Sequence, residues 1–152
     1  MQPLKSEFLM TLEIELETTH VIGETPAGTR RIDIFKGGRF EGPRLRGKFA
    51  AGGADMILRR ADGAMQPDVR LTLETDDGAF IQVTYRGIRH GPEEVMQRIA
   101  AGEEVEASEY YLRNTPYFET GAEKYDWLNR IVAVGIGRRA PNAAIYDIHE
   151  IL

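Results

Sequence analysis

The chain has 152 residues and a mass of 17.1 kDa, enough for a single domain spanning residues 1–152 to bury a core without staples. It contains no cysteine, which excludes disulfide and thiolate chemistry, and its net charge of −5 gives no electrostatic ground for nucleic acid as a partner. The N-terminus lacks an apolar run of signal-peptide length and no stretch is long enough to span a bilayer, so the expectation is a cytoplasmic protein without a membrane partner.

From the N-terminus, alternation dominates. "TLEIELE" places Leu12, Ile14 and Leu16 on one face and Glu13, Glu15 and Glu17 on the other, the pattern of a half-buried strand. "GETPAGTR" reads as a loop, "RIDIF" as a short strand, and "KGGRFEGP" as a turn region closed by Pro43. "RLRGKFA" alternates again, "AGGAD" is expected to break that strand, and "DMILRR" to begin another that stops at Ala61 to Gly63. Between Arg30 and Lys48 also lie Arg31, Lys36, Arg39, Arg44 and Arg46, against only Asp33 and Glu41. Such a row is either an anion-binding face or a solvated one, and the expectation is the latter, with Glu13, Glu15 and Glu17 as cross-strand partners.

"DVRLTLETDDGAFIQVTYRG" is the best hairpin in the chain, two alternating runs joined at Asp77-Gly78. Val69, Leu71 and Leu73 on the first arm, and Ile81, Val83 and Tyr85 on the second, are predicted to face inward. "GPEEVMQRIAAGEE" predicts a helix with Pro92 at its first position, Glu93 and Glu94 at the positive end of its dipole, and Gly102 ending it. "SEYYLRN" reads as a strand and "GAEKYDWLN" as a loop or helical turn. "RIVAVGIGRR" and "AAIYDIHEIL" are two closing strands, the first apolar enough to be expected buried on both faces. The total is about eight or nine strands and one short helix, with no βαβ rhythm. An all-β, antiparallel up-and-down barrel with one capping helix is the predicted fold, and a β-sandwich the alternative.

The succession "GPRLRGKFAAGGADMILRRADG", "DVRLTLETDDGAFIQVTYRG" and "YYLRNTPYFETGAEKYDWLNRIVAVGIGRR" resembles the uncharacterised bacterial and fungal family DUF3237, also called UPF0311, over nearly the whole chain. The resemblance implies a calycin-like antiparallel barrel, in agreement with the strand count. It implies no activity.

His20, His90 and His149 lie far apart and in no metal-ligand spacing, so neither a metal nor a cofactor is expected. "GIGRRA" lacks the third glycine and the helix of a dinucleotide loop, and nothing resembles a nucleophilic triad. Carboxylates and tyrosines at strand positions remain. Asp55 shares a face with Ile57, so it is either an interior general acid or base or a cap on the "AGGAD" turn. Tyr85 is predicted inside the barrel, as is one of the neighbours Tyr110 and Tyr111. "YFETGAEKYDWLN" crosses one end of the barrel, where Trp127 with Glu119 and Asn129 forms either a ligand mouth or an end-cap. The catalytic candidates are Asp55, Glu119 and Tyr85, and the candidate ligand-binding set adds Tyr110, Tyr111, Trp127 and Asn129. Three functions follow. The first is a barrel that binds a small, mostly apolar molecule with a polar end. The second is a cofactor-free isomerase, cyclase or lyase, and the third a filled barrel that acts through self-association. A homodimer is the default assembly.

Overall fold

The computed structural model describes residues 1–152. Its strands are β1 (Ser6–Thr25), β2 (Gly28–Glu41), β3 (Arg46–Asp55), β4 (Leu58–Arg59), β5 (Met65–Gln66), β6 (Asp68–Thr75), β7 (Phe80–His90), β8 (Tyr111–Glu119), β9 (Val132–Ala140) and β10 (Ala143–Ile151). Every pairing is antiparallel, and the ring runs β1-β2-β3-β6-β7-β8-β9-β10 and back to β1, eight strands in an up-and-down barrel. The short β4 and β5 form a detour that links β2 to β7 at one rim. Ring closure removes most of the free edge that an open sheet would carry as a template for aggregation, although β8 and β9 are joined only at Arg113–Ile136 and Asn114–Gly135.

The segments read as turns at "KGGRF" and "AGGAD" lie inside strands. β1 and β2 are 20 and 14 residues long, and β3 runs through the glycines without interruption. The register of β2 against β3 slips between Ile34 and Arg39, and that of β3 against β6 slips between Phe49 and Gly53. Gly52 and Gly53 have φ of 91° and 126°, conformations that favour glycine over any residue with a Cβ. These glycines therefore make bulges. A bulge bends a strand and increases its twist, which a long strand needs in order to wrap a narrow barrel.

Inward residues fill the lumen along most of its length. Leu12, Leu73, Ile81, Val83 and Ile148 are fully buried. β9 departs from the sequence expectation: Ala133, Gly135 and Gly137 face inward, while Val132 and Ile136 are exposed. A single-layer barrel has one wet face, so apolar composition alone did not bury both sides of this strand.

The helix α1 (Glu93–Ala100) starts one residue after its expected position, with Pro92 preceding it in extended conformation. It buries Val95 at the rim where β7 ends, and Gly102 follows it at φ 79°. A 3-10 turn at Ala107–Glu109 precedes β8, and a longer one at Glu123–Arg130 closes the other end. No helix is long and apolar enough to cross a membrane.

The basic row is partitioned. Arg39 pairs with Glu13 across β1 and β2 at 2.9 Å, but Arg44, Arg46 and Lys48 pair with Glu150, Asp76 and Glu74 respectively. Glu15 and Glu17 form no ion pair, so the expected acidic partner row is reduced to Glu13. Arg31 leaves the row and turns to Asp33 at 3.3 Å, at the rim under α1.

Candidate functional site

The site begins with the bulge in β3. It carries the strand past Gly53 so that Asp55, directly opposite Asp33 of β2, points into the barrel. Two inward carboxylates on paired strands have Cβ atoms about 4.5–5.5 Å apart. Asp33 is fixed in place by its neighbours: the Thr19 hydroxyl donates to Oδ1 at 2.8 Å and the Arg31 guanidinium lies 3.3 Å away. Asp55 has one fixed partner, the Asp68 backbone N–H, which donates to Oδ1 at 2.9 Å. This bond crosses from β6, so the side chain is not capping its own turn. Burial pushes the Asp55 carboxyl up from 3.8 to about 6, the Asp68 hydrogen bond opposes that rise, and the neighbouring Asp33 charge adds to it.

Two phenols share the chamber. Tyr85 of β7 and Tyr146 of β10 are both buried, with ring centroids 5.3 Å apart and planes tilted by 59°. Burial raises both, Tyr146 to about 12 and Tyr85 well above its ordinary value, so each is a neutral hydrogen-bond donor. Gly137 makes room for this pair, because a Cβ there would stand 2.6 Å from both Leu112 Cγ and Tyr146 Cε1. The remaining wall is aliphatic and aromatic, with Ile14, Phe35, Ile57 and Leu112 prominent. The chamber itself has a volume of about 20 Å3, room for about one water.

Above the chamber lies a cleft of about 430 Å3 beneath α1. Arg89 and Arg139 line both spaces, and Arg31 and Arg59 line the cleft. Arg89 follows Tyr85 by four residues on β7 and so faces the same way, while Arg139 continues the inward face of Gly135 and Gly137. Burial first, then the charges of Arg139 and Arg31, bring the Arg89 guanidinium down to about 10.

The candidates from sequence divide between the two ends of the barrel. Asp55 and Tyr85 meet in the chamber. Tyr110 is buried at its rim, where its hydroxyl accepts the Arg139 backbone N–H at 2.7 Å. Tyr111 points outward, stacked near His90 at 5.1 Å with the Arg113 guanidinium 4.7 Å from its ring, so it lies outside the chamber. Glu119, Trp127 and Asn129 lie at the opposite end. Roughly 20 Å of strand, at about 3.3 Å per residue, separates Val69 beside Asp55 from Thr75 near that end.

There the Asn129 amide accepts from the Thr120 N–H and donates to the Thr120 carbonyl, both at 2.9 Å, and the Tyr125 hydroxyl donates to Asp77 at 2.8 Å. Leu128 and Phe118 are buried under this layer. The aromatic segment is a plug, and Glu119 stands exposed on it without a hydrogen bond to its side chain. The Arg44 guanidinium stacks 3.5 Å from the Trp127 ring centroid. A ligand entering beneath α1 is therefore expected to leave Trp127 emission unchanged, whereas Trp127→Phe should cost about 0.5–1 kcal/mol of stability in a denaturant titration through loss of that stack. A ligand-dependent Trp127 signal would contradict the two-ended arrangement.

Asp33, Arg89, Arg139 and Tyr146 were not singled out from sequence, although the signal was present. Each falls on the inward phase of its strand, with Phe35, Tyr85, Gly137 and Ile148 as in-phase neighbours. Period two alone does not tell an inward polar residue from an error of phase.

An antiparallel barrel plugged at one end, with paired carboxylates, two phenols and a cationic cleft at the other, defines a closed β-barrel with a polar chamber at one end. The chain belongs to the family described as protein of unknown function DUF3237, whose pattern matches residues 4–151. It is similar to a conserved protein of unknown function from Rhodopseudomonas palustris, 32% identical with a TM-score of 0.96 and all of both chains covered. A beta-barrel like protein from Acinetobacter baumannii AYE is 38% identical with a TM-score of 0.86, over 99% of this chain and 98% of that one. Among curated relatives, the hydroalkoxylation enzyme phnH of Penicillium herquei is 28% identical over 133 residues, 88% of this chain and 74% of that one.

Proposed function

We propose that this protein is a cofactor-free acid–base enzyme acting on an oxygenated small molecule, with an addition or elimination at an activated double bond as its reaction. The observation that carries the reading is the placement of Asp55 in one chamber with two neutral phenols, Tyr85 and Tyr146. A buried carboxyl that titrates near neutrality can both take and return a proton, and neutral phenols donate hydrogen bonds to an oxygen on which charge develops. The fungal relative's name supports the reaction class, since hydroalkoxylation is the addition of a hydroxyl across a carbon–carbon double bond.

In that reading the substrate occupies the cleft, and only its reacting end enters the chamber. Ionised Asp55 takes the proton of a substrate hydroxyl. The oxygen attacks the β-carbon of an enone and the C–O bond forms; the carbon–carbon π pair becomes the new bond between the α-carbon and the carbonyl carbon, and the carbonyl π pair moves onto oxygen, giving an enolate held by the phenols. Asp55 then returns its proton to the α-carbon, so no oxidant or reductant is consumed. Asp33, fixed opposite by Thr19 and Arg31, adds to its neighbour's affinity for a proton.

The test uses a panel of hydroxyaryl enones that close by internal addition, ortho-hydroxychalcone among them, followed by absorbance. Tyr85→Phe is expected to fold normally and to lower kcat by about 10²–10³-fold, the usual effect of losing one oxyanion donor. Equal rates for the wild type, Tyr85→Phe and Asp55→Asn across the panel would end the enzymatic reading. A barrel that only binds small molecules is the second reading, supported by the 430 Å3 cleft.

A further inference from the structure

Arg89 is an unusual residue to bury. It is 7% exposed, forms no ion pair, and its Nε has no hydrogen-bond partner. A buried donor left unmade costs free energy comparable to a lost hydrogen bond, more when it is charged, so such groups are retained where something else satisfies them. Arg139, half-buried beside it, and Arg59 at the outer edge also form no ion pair. The acids that line the two spaces have other partners: Asp33 holds Arg31, Asp55 accepts from the Asp68 backbone, and the Glu93 carboxylate accepts from Gln97 at 3.4 Å. Two guanidiniums thus face one cleft with their donor capacity unspent.

We propose that the cleft beneath α1 binds the carboxylate of an organic acid, gripped by Arg89 and Arg139, as the anchoring group of the substrate. This rests on the acid–base reading above and names the substrate class for the same site. Planar guanidinium forks match a carboxylate in bidentate fashion. A phosphate fits less well, because α1 carries Glu93 and Glu94 at its N-terminal turn and the rim offers no lysine or glycine-rich loop. The anchor also fixes direction. Arg89 and Arg139 line the chamber as well as the cleft, so a carboxylate bound there holds the molecule in the cleft with its reacting end turned toward Asp55 and the phenols. Tyr110 is a positioning residue in this arrangement, because its hydroxyl fixes the backbone that carries Arg139.

The experiment is calorimetric titration of the full chain with cinnamate, with its neutral isostere cinnamide, and with inorganic phosphate. The expected result is a preference for cinnamate over cinnamide of about ten-fold or more, with phosphate binding weakly. The preference should fall to about one in Arg139→Gln, a half-buried position where the fold is not at stake, and in Arg89→Met, while Arg89→Lys restores part of it. Asp55→Asn should keep the cinnamate preference while abolishing turnover, so the anchor and the proton carrier fail separately. Equal affinity for cinnamate and cinnamide, a preference that survives Arg139→Gln, or phosphate binding as tightly as cinnamate would overturn the proposal. Carboxylate preference with no Asp55-dependent turnover would sink the acid–base reading and leave the anion site standing.

Discussion

Asp55→Asn is expected to lower turnover by about 10²–10⁴-fold, the range for losing a positioned acid or base, and to remove the limb of the pH–rate profile near the Asp55 value of about 6. The same substitution has an opposite consequence for stability. An acid whose folded-state value is raised binds its proton more tightly in the native state than in the unfolded chain. Below about 3.8 both states are protonated and the shift has no effect; above about 6 both are ionised and the native state carries the full cost of the buried charge. At 1.36 kcal/mol per pH unit, that cost is about 3 kcal/mol, appearing as pH rises through this window.

Asn at this position keeps the acceptor for the Asp68 N–H and has no charge to bury. Denaturant titrations of both proteins at pH 4 and pH 8 should therefore show the difference moving toward the variant by about 2 kcal/mol, since part of the cost is already present at pH 4. Comparing the two proteins at each pH cancels every other titrating group, and taking the change between the two pH values cancels the amide's own fixed cost. A difference independent of pH would show that Asp55 titrates like an exposed carboxylate, and the chamber would lose its proton carrier.

The second large effect lies in the core. Leu73 is fully buried and pairs with Phe49 of β3 on one side and Ile81 of β7 on the other. Leu73→Ala is expected to cost about 2–5 kcal/mol, because neighbours locked in a closed ring of strands collapse poorly into the space left. Against a total of about 5–15 kcal/mol this is a large fraction, and it corresponds to a fall in Tm of roughly 4–20 °C. Calorimetry of the variant checks it, and a change under about 2 °C would mean that the lumen at this level is not packed. The chamber at the other end tolerates polar groups only because this packed half supplies the stability.

These expectations rest on different parts of the reading from sequence. The β6–β7 hairpin was legible in full, since Asp77-Gly78 supplies the turn and two runs of strict alternation supply the phase. Tyr85 followed from the same alternation, whereas Asp55, in phase with Ile57 beside a glycine pair, was readable both as an interior acid and as a turn cap, and the bond from the Asp68 N–H decides against the cap. The errors arose where local chemistry has two uses. Glycine pairs suit a turn and a bulge equally, and only the length of β1 along its partner β2 decides for the bulge. The aromatic density of residues 117–129 suits both a mouth and a plug. The Asn129–Thr120 hydrogen bonds, which close the segment on itself, and the Tyr125–Asp77 bond, which ties it to the distant β6–β7 turn, make it a plug.

The class of fold, the inward phase of most strands and the presence of acids and phenols on that phase are legible in the chain, because period two is a local property written residue by residue. Which of those inward residues share a level of the barrel is settled in three dimensions alone. Asp33, Asp55, Tyr85, Arg89, Arg139 and Tyr146 come from five strands, and their meeting depends on strand stagger and bulge placement. Those are set by the closure of the whole ring, and no short stretch of chain records them.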